Sequence, residues 1–144
     1  MKTNRIAEIM TTNVISIQPR DTMDKVDQIF QANAIHHIPV VEDAQVVGMI
    51  SKSDYYQILH GFTLFKAPVS KTYNEAVLRS LLVREVMTKQ VACLRPEDTL
   101  DKAADYFREN LFHAIPITNL DGQLMGILST YDLITHCFSG TSVG

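Results

Sequence analysis

Apolar positions along this chain follow two periods in turn, and the order in which the periods change occurs twice. The first pass begins with Val14-Ile15-Ser16-Ile17, a short apolar run ended by Pro19, which predicts a strand. Met23, Val26, Ile29, Phe30 and Asn33 then recur three and four apart, the spacing of one helix face, with Asp21 ahead of them as N-cap and Asp24 in the first turn. Ile38-Pro39-Val40-Val41 predicts a second strand; its proline lacks a ladder N–H and belongs at a strand start or a sheet edge. The polar turn Glu42-Asp43-Ala44-Gln45 leads into Val46-Val47-Gly48-Met49-Ile50, a hairpin partner. Ser51-Lys52-Ser53-Asp54 opens another helix, which Tyr55 to His60 continue and Gly61 stops. A break at Ala67-Pro68 precedes a helix capped by Thr72 and Glu75, with Val77, Leu78, Leu81 and Leu82 on one face.

The second pass is a copy of the first. Shifted by 77 positions, Glu8-Ile9-Met10-Thr11 meets Glu85-Val86-Met87-Thr88, and Pro19-Arg20-Asp21-Thr22 meets Pro96-Glu97-Asp98-Thr99. Phe30, Asn33, His36, Ile38 and Pro39 meet Phe107, Asn110, His113, Ile115 and Pro116. One extra residue in the second turn moves the offset to 78, where Gln45, Gly48, Ser51 and Asp54 meet Gln123, Gly126, Ser129 and Asp132. Residues 6–41 and 45–54 give 18 identities in 46 pairs, too many for chance. The expected fold class is therefore α/β (α+β), two tandem strand-helix-strand-strand-helix units forming a pseudo-twofold pair. Expected domains are residues 1–66 and 80–144, joined by a linker over 67–79. Two units this small are marginal alone and should lean on each other.

Composition narrows the function classes. The 144 residues are 46% hydrophobic and 20% charged, as in a globular protein. A net charge of −3 with no basic run argues against nucleic-acid binding, which needs a basic face. No apolar stretch approaches the roughly 18–20 residues of a spanning helix, and the polar N-terminus lacks a signal-peptide core, so a cytoplasmic protein without membrane insertion is expected. Cys93 and Cys137 lack metal-ligand spacing and are expected as free thiols. His36 and His37 are neighbours on a strand and point to opposite faces, so no metal site is expected; His36 and His113 are equivalent and should share a packing or hydrogen-bonding role. No nucleophile elbow, P-loop or zinc-binding helix is present, and no catalytic residue is assigned.

In order, the recurring motifs resemble the CBS domain, named for cystathionine beta-synthase, and the pair resembles a Bateman module. The matching pieces are Ile9-Met10-Thr11 with Val86-Met87-Thr88, Pro-x-Asp-Thr before each first helix, His-x-Ile-Pro at His36 and His113, and Gly-x-x-Ser-x-x-Asp closing each copy. The resemblance covers about residues 3–62 and 80–138. It implies halves packed sheet against sheet around two clefts, a homodimer, and an adenine ligand: AMP, ADP or ATP, with S-adenosylmethionine as a further possibility and no required cofactor. It also implies that the module regulates a partner protein, here a separate chain of unknown identity.

The resemblance carries the site residues with it. Adenine would lie against Asn13, Val14, Ile15, His37, Ile38 and Pro39 in one copy, and against Gln90, Val91, Ala92, Ala114, Ile115 and Pro116 in the other. Ser51, Lys52 and Asp54, with Ser129, Thr130 and Asp132, would hold ribose and phosphate. The chemistry suits those residue types: a helix start favours anions, and a carboxylate one turn in can accept both hydroxyls of a ribose. Gly48 would allow backbone or ligand to approach closely. Ser-x-x-Asp is equally a capping box that needs no ligand, and the apolar lining is equally core strand. The copies differ at Lys52 against Thr130, His37 against Ala114 and Arg20 against Glu97, so the Asp54 site is expected to favour charged phosphates. The alternative is a non-sensing structural or oligomerisation module with empty clefts.

Overall fold

The computed structural model describes residues 4–61, 71–110 and 112–139. The expected break at Ala67-Pro68 and the apolar residues Phe62, Leu64 and Phe65 lie outside them. A 3-10 turn at Ile6–Glu8 comes first, followed by α1 (Met23–Ala32), β1 (His37–Glu42), β2 (Gln45–Ser51) and α2 (Lys52–Gly61). Then come α3 (Lys71–Ser80), α4 (Val83–Val86), β3 (Thr88–Lys89), α5 (Leu100–Asn110), β4 (Ala114–Thr118), β5 (Leu124–Ser129) and α6 (Thr130–Ser139).

These elements form two compact units, neither contiguous in sequence: residues 15–43 with 47–90, and residues 1–14 with 44–46 and 91–144. In the first, strands run in the order β1-β2-β3, with β3 antiparallel to β2 so that Gly48 faces Lys89 and Met49 faces Thr88. Its core joins Ile17, Met23, Val26, Phe30, Ile38, Val40, Ile50, Tyr55, Leu78 and Val83. In the second, β4 and β5 pair antiparallel with Ile115 opposite Leu128, over Ile6, Leu94, Leu100, Ala103, Phe107 and Ile117.

Ile6 and Val83, equivalent in the repeat and both fully buried, each sit in the core formed mainly by the other copy. Backbone bonds fasten these exchanged openings. Val83 N–H donates to Asp21 O at 2.8 Å and Arg84 N–H to Pro19 O at 2.9 Å. At the equivalent place Ile6 N–H donates to Asp98 O at 3.0 Å and Ala7 N–H to Pro96 O at 2.9 Å. Each opening thus grips the Pro-x-Asp-Thr turn of the other copy.

That grip changes two expectations. Asp21 does not cap α1; the N-cap is Thr22, and Met23 N–H is satisfied by the Leu81 carbonyl at 2.8 Å. The Asp21 carboxylate instead accepts Gln18 N–H at 2.8 Å and closes the turn, as Asp98 does for Arg95 N–H at 2.7 Å. The expected strand over Val14–Ile17 shrinks to one bridge, in which Ile17 N–H donates to Pro39 O and Val41 N–H donates to Ile17 O. Ile15 and Ser16 are exposed with no neighbouring strand among the described residues, whereas the Ile17 side chain enters the core. Pro39 lies near the start of the outer strand β1, as a residue without an N–H should.

The one-residue offset between copies also has a physical cause. Asp43 and Ala44 both take left-handed backbone, φ 51° and 66°, the pattern of a two-residue hairpin turn. The second hairpin turns through Asn119 to Gly122, with Gly122 at φ 80° and the Asn119 side chain accepting N–H from Asp121 and Gln123. The register of β4 and β5 shifts at Ile117/Thr118 to absorb the added length. Thr118, a buried polar residue, accepts from the Arg95 guanidinium at 3.2 Å.

Candidate functional site

The strand-to-helix junctions are built alike in both units. Ser51 N–H donates to Asp54 Oδ2 at 3.1 Å while Asp54 N–H donates to Ser51 Oγ at 3.0 Å. Ser129 and Asp132 repeat the pair at 2.9 and 3.0 Å. Lys52 N–H donates to His36 O at 2.7 Å, and Thr130 N–H to His113 O at 3.0 Å. A helix start offers an anion only those amides that are not already bonded. At α2 the amides of Ser51, Lys52 and Asp54 are used, and Ser53 N–H has no partner among the described residues; Tyr131 N–H stands likewise at α6. The expected anion cradle of free amides is therefore mostly consumed by the junction. A phosphate held here needs side chains.

The capping also prepares each carboxylate. Asp54 and Asp132 are half-buried, and each uses Oδ2 on the cap, leaving Oδ1 without a bond among the described residues. Ser51 accepts through Oγ, so its hydroxyl proton remains available to donate. One fixed acceptor and one donor, side by side, match a vicinal diol.

The first unit has an open groove of about 580 Å³ lined by His36, Lys52, Ser53, Tyr56 and Gln57, with Asp54 and Ser51 not among the lining residues. Lys52 Nζ lies 5.9 Å from the Tyr56 ring centre, at the edge of cation–π range. Of these residues only Lys52 is expected from the sequence to touch a ligand. The missed signal was spacing: Lys52, Ser53, Tyr56 and Gln57 share one face of a helix. The equivalent positions in the second unit are His113, Thr130, Tyr131, Ile134 and Thr135, which supply no lysine; Tyr131 is 75% exposed and Ile134 57%.

The other expected lining residues fall into two groups. Ile38, Pro39, Ala114, Ile115 and Pro116 are buried, with Ile38 and Ile115 in the two cores, and the Pro39 and Pro116 carbonyls already accept the N–H groups of Ile17 and Leu94. Asn13, Ile15 and Gln90 are exposed; Val14, His37, Val91 and Ala92 are half-buried. The unit boundaries run through these segments, between Val14 and Ile15 and between Gln90 and Val91. Gln90, the last residue of its unit's segment, takes φ 54°. Arg20 bonds locally to Gln18 Oε1 at 2.9 Å. The role shared by His36 and His113 lies in their carbonyls, since both side chains are exposed. On the side where a Cβ would stand, the space beside Gly48 is filled by Met87. Burial pushes the Cys93 thiol above its ordinary value, the opposite of what a reactive thiolate needs. Among the described residues no acidic, histidine and cysteine cluster suits a metal, and no helix is long and apolar enough to cross a membrane.

The CBS domain model matches residues 6–61 and again residues 83–139. The chain belongs to the CBS domain family. An uncharacterized protein of Methanocaldococcus jannaschii is 28% identical, covering 90% of this chain and 88% of its own length. Several other curated relatives are longer: the chain spans between 22% and 46% of the length of homoserine O-acetyltransferases, inosine-5'-monophosphate dehydrogenases and a second uncharacterized protein of Methanocaldococcus jannaschii. The structure of CBSX2 in complex with AMP, a protein of Arabidopsis thaliana, superposes with a TM-score of 0.77 over 96% of this chain and 99% of that one, at 23% identity. The CBS domain pair of protein MJ0100 in complex with 5'-methylthioadenosine and S-adenosylmethionine gives 0.76 over 96% and 98%, at 18% identity. At such identities the likeness establishes the fold, two tandem CBS units of mixed helix and sheet.

Proposed function

We propose that this CBS pair is a regulatory, non-catalytic sensor that binds an adenine nucleotide, works as a homodimer and modulates a separate partner protein. The observation that carries the reading is the Ser51–Asp54 box: the Asp54 carboxylate is held by Ser51 and keeps Oδ1 available, and Lys52 and Ser53, between those two residues in sequence, line an open groove with His36. Ribose hydroxyls would bond Asp54 and Ser51, and phosphate would meet the Lys52 ammonium. The adenine would lie against the segments around Asn13 to Ile15, His37 to Pro39, Gln90 to Ala92 and Ala114 to Pro116. Asp132, Ser129 and Thr130 would hold a sugar without a cation for its phosphate. The AMP, 5'-methylthioadenosine and S-adenosylmethionine named for the two structures support the ligand class. The enzyme-named relatives match over about a quarter of their length, as a regulatory segment of a larger protein would.

A second reading, a structural module that senses nothing, has one observation in its favour: both Ser-x-x-Asp boxes are complete without a ligand. Calorimetric titration decides between them. AMP has about 23 heavy atoms; at about 0.3 kcal/mol each, its dissociation constant should be on the order of 10 μM. Asp54→Ala should weaken AMP binding more than Asp132→Ala. Equal losses would remove the distinction between sites, and no heat from AMP, ADP, ATP or S-adenosylmethionine would favour the structural module.

A further inference from the structure

Each repeat opens with a methionine whose sulfur fills the space that a side chain would need at a strand glycine. A Cβ built on Gly48 would lie 2.7 Å from Met87 Sδ and 2.9 Å from Thr88 O. On Gly126 it would lie 2.8 Å from Met10 Sδ and 2.8 Å from Thr11 O. The seats are apolar: Met87 packs on the first core and Met10 on the second. Both residues are half-buried, so solvent can reach them while they are seated. Met23 and Met49, by contrast, are 0% and 6% exposed, and Met125 is 43% exposed. The backbone just beyond each sulfur ties the opening down. Thr11 and Ile127 exchange two bonds of 2.9 Å, and Thr88 pairs with Met49. Two or three residues further on, each opening becomes the expected adenine lining, Asn13-Val14-Ile15 or Gln90-Val91-Ala92.

We propose that Met10 and Met87 are modification sites, a matched pair of thioether latches that a hydroperoxide opens. The thioether sulfur attacks one peroxide oxygen and the O–O bond breaks. The sulfur gains that oxygen and is oxidised by two electrons. The other oxygen, taking the proton, leaves as water or an alcohol, so no further reactant is required. A sulfoxide is larger than a thioether and carries a strong acceptor. Its seat offers a glycine backbone, an apolar cluster and the carbonyl of the following threonine, itself an acceptor. An added oxygen there is crowded against the glycine backbone and faces the threonine carbonyl, a second acceptor, which costs the seated state and favours release of the opening. Release would move the lining segments and weaken nucleotide binding; that last link alone rests on the function proposed above.

The test treats the full chain with hydrogen peroxide and follows sulfoxide formation by peptide mass spectrometry, melting temperature and AMP affinity. In the wild type, oxidation of Met10 and Met87 should lower the melting temperature by at least about 4 °C. AMP affinity should fall roughly tenfold, and the two methionine sulfoxide reductases should restore both. The Met10→Leu/Met87→Leu double variant should keep its melting temperature and affinity while Met125 is oxidised. Should it fold poorly, the single Leu variants are each expected to lose half of the sensitivity. Met10 and Met87 remaining thioethers when Met125 is fully oxidised, or equal losses in wild type and Leu variants, would overturn the latch. If AMP does not bind even before oxidation, the nucleotide reading fails, and the melting temperature still decides the latch.

Discussion

Tyr55 shows how one side chain makes the two copies unequal. It is 2% exposed, packs against Phe30 at 5.6 Å between ring centres, and donates its hydroxyl to Asp27. The second copy has Leu133 and Ala104 at those places, so the pair is unique to the first unit. Burial, with the Asp27 carboxylate as hydrogen-bond acceptor and neighbouring charge, pushes the phenol from its ordinary 10.0 to about 12. The fold therefore favours the protonated phenol. That contribution is complete below pH 10 and disappears as pH rises through 12. Tyr55→Phe should cost about 1.5–3 kcal/mol at neutral pH, because it strands a carboxylate, and should flatten the loss of stability in that alkaline window; urea unfolding across the pH range measures both. Gly126 acts at the same scale. Gly126→Ala puts a methyl group 2.8 Å from Thr11 O and should destabilise by about 1–3 kcal/mol in the same assay. The glycine was conspicuous in the sequence, but its reason was not, since the atoms that exclude a side chain come from residues more than a hundred positions away.

At the scale of elements, helices α1 and α5 and the hairpin strands follow from local spacing, and their buried faces are those the period predicts: Met23, Val26 and Phe30, then Leu100, Ala103 and Phe107. What local reasoning misplaced were the ends. The N-terminal amide of α1 is satisfied by Leu81 from elsewhere in the chain, so no side-chain cap was required, and Asp21 was left to close a turn. The Ser-x-x-Asp boxes, in contrast, are local and were readable as caps. They contribute on their own account. Ser129→Ala should lower stability by about 1 kcal/mol in ligand-free protein, seen as a lower urea midpoint with an unchanged slope. A drop confined to nucleotide-loaded protein would assign the hydroxyl to the ligand and not to the helix.

For the whole molecule the decisive feature is the exchange of openings. Residues 1–14 pack with 91–144, and residues 83–90 with the first copy. Ile6→Ala, at a position that sequence order assigns to the first copy, should therefore destabilise the second core by about 2–5 kcal/mol. Hydrogen exchange should show the loss of protection in β4, β5 and α5; a loss centred on α1 and β1 would contradict the exchange. Duplication, the order of elements, the capping boxes and the Lys52-for-Thr130 difference could all be read from residue spacing, because helix and strand periods and caps act over a few residues. The turn-closing role of Asp21, the filling of Gly48 and Gly126 by methionine, the groove around Lys52 and the crossed partners of Ile6 and Val83 could not. Those are settled by which distant segments leave apolar surface and unbonded amides to one another, and only the folded chain brings such segments within reach.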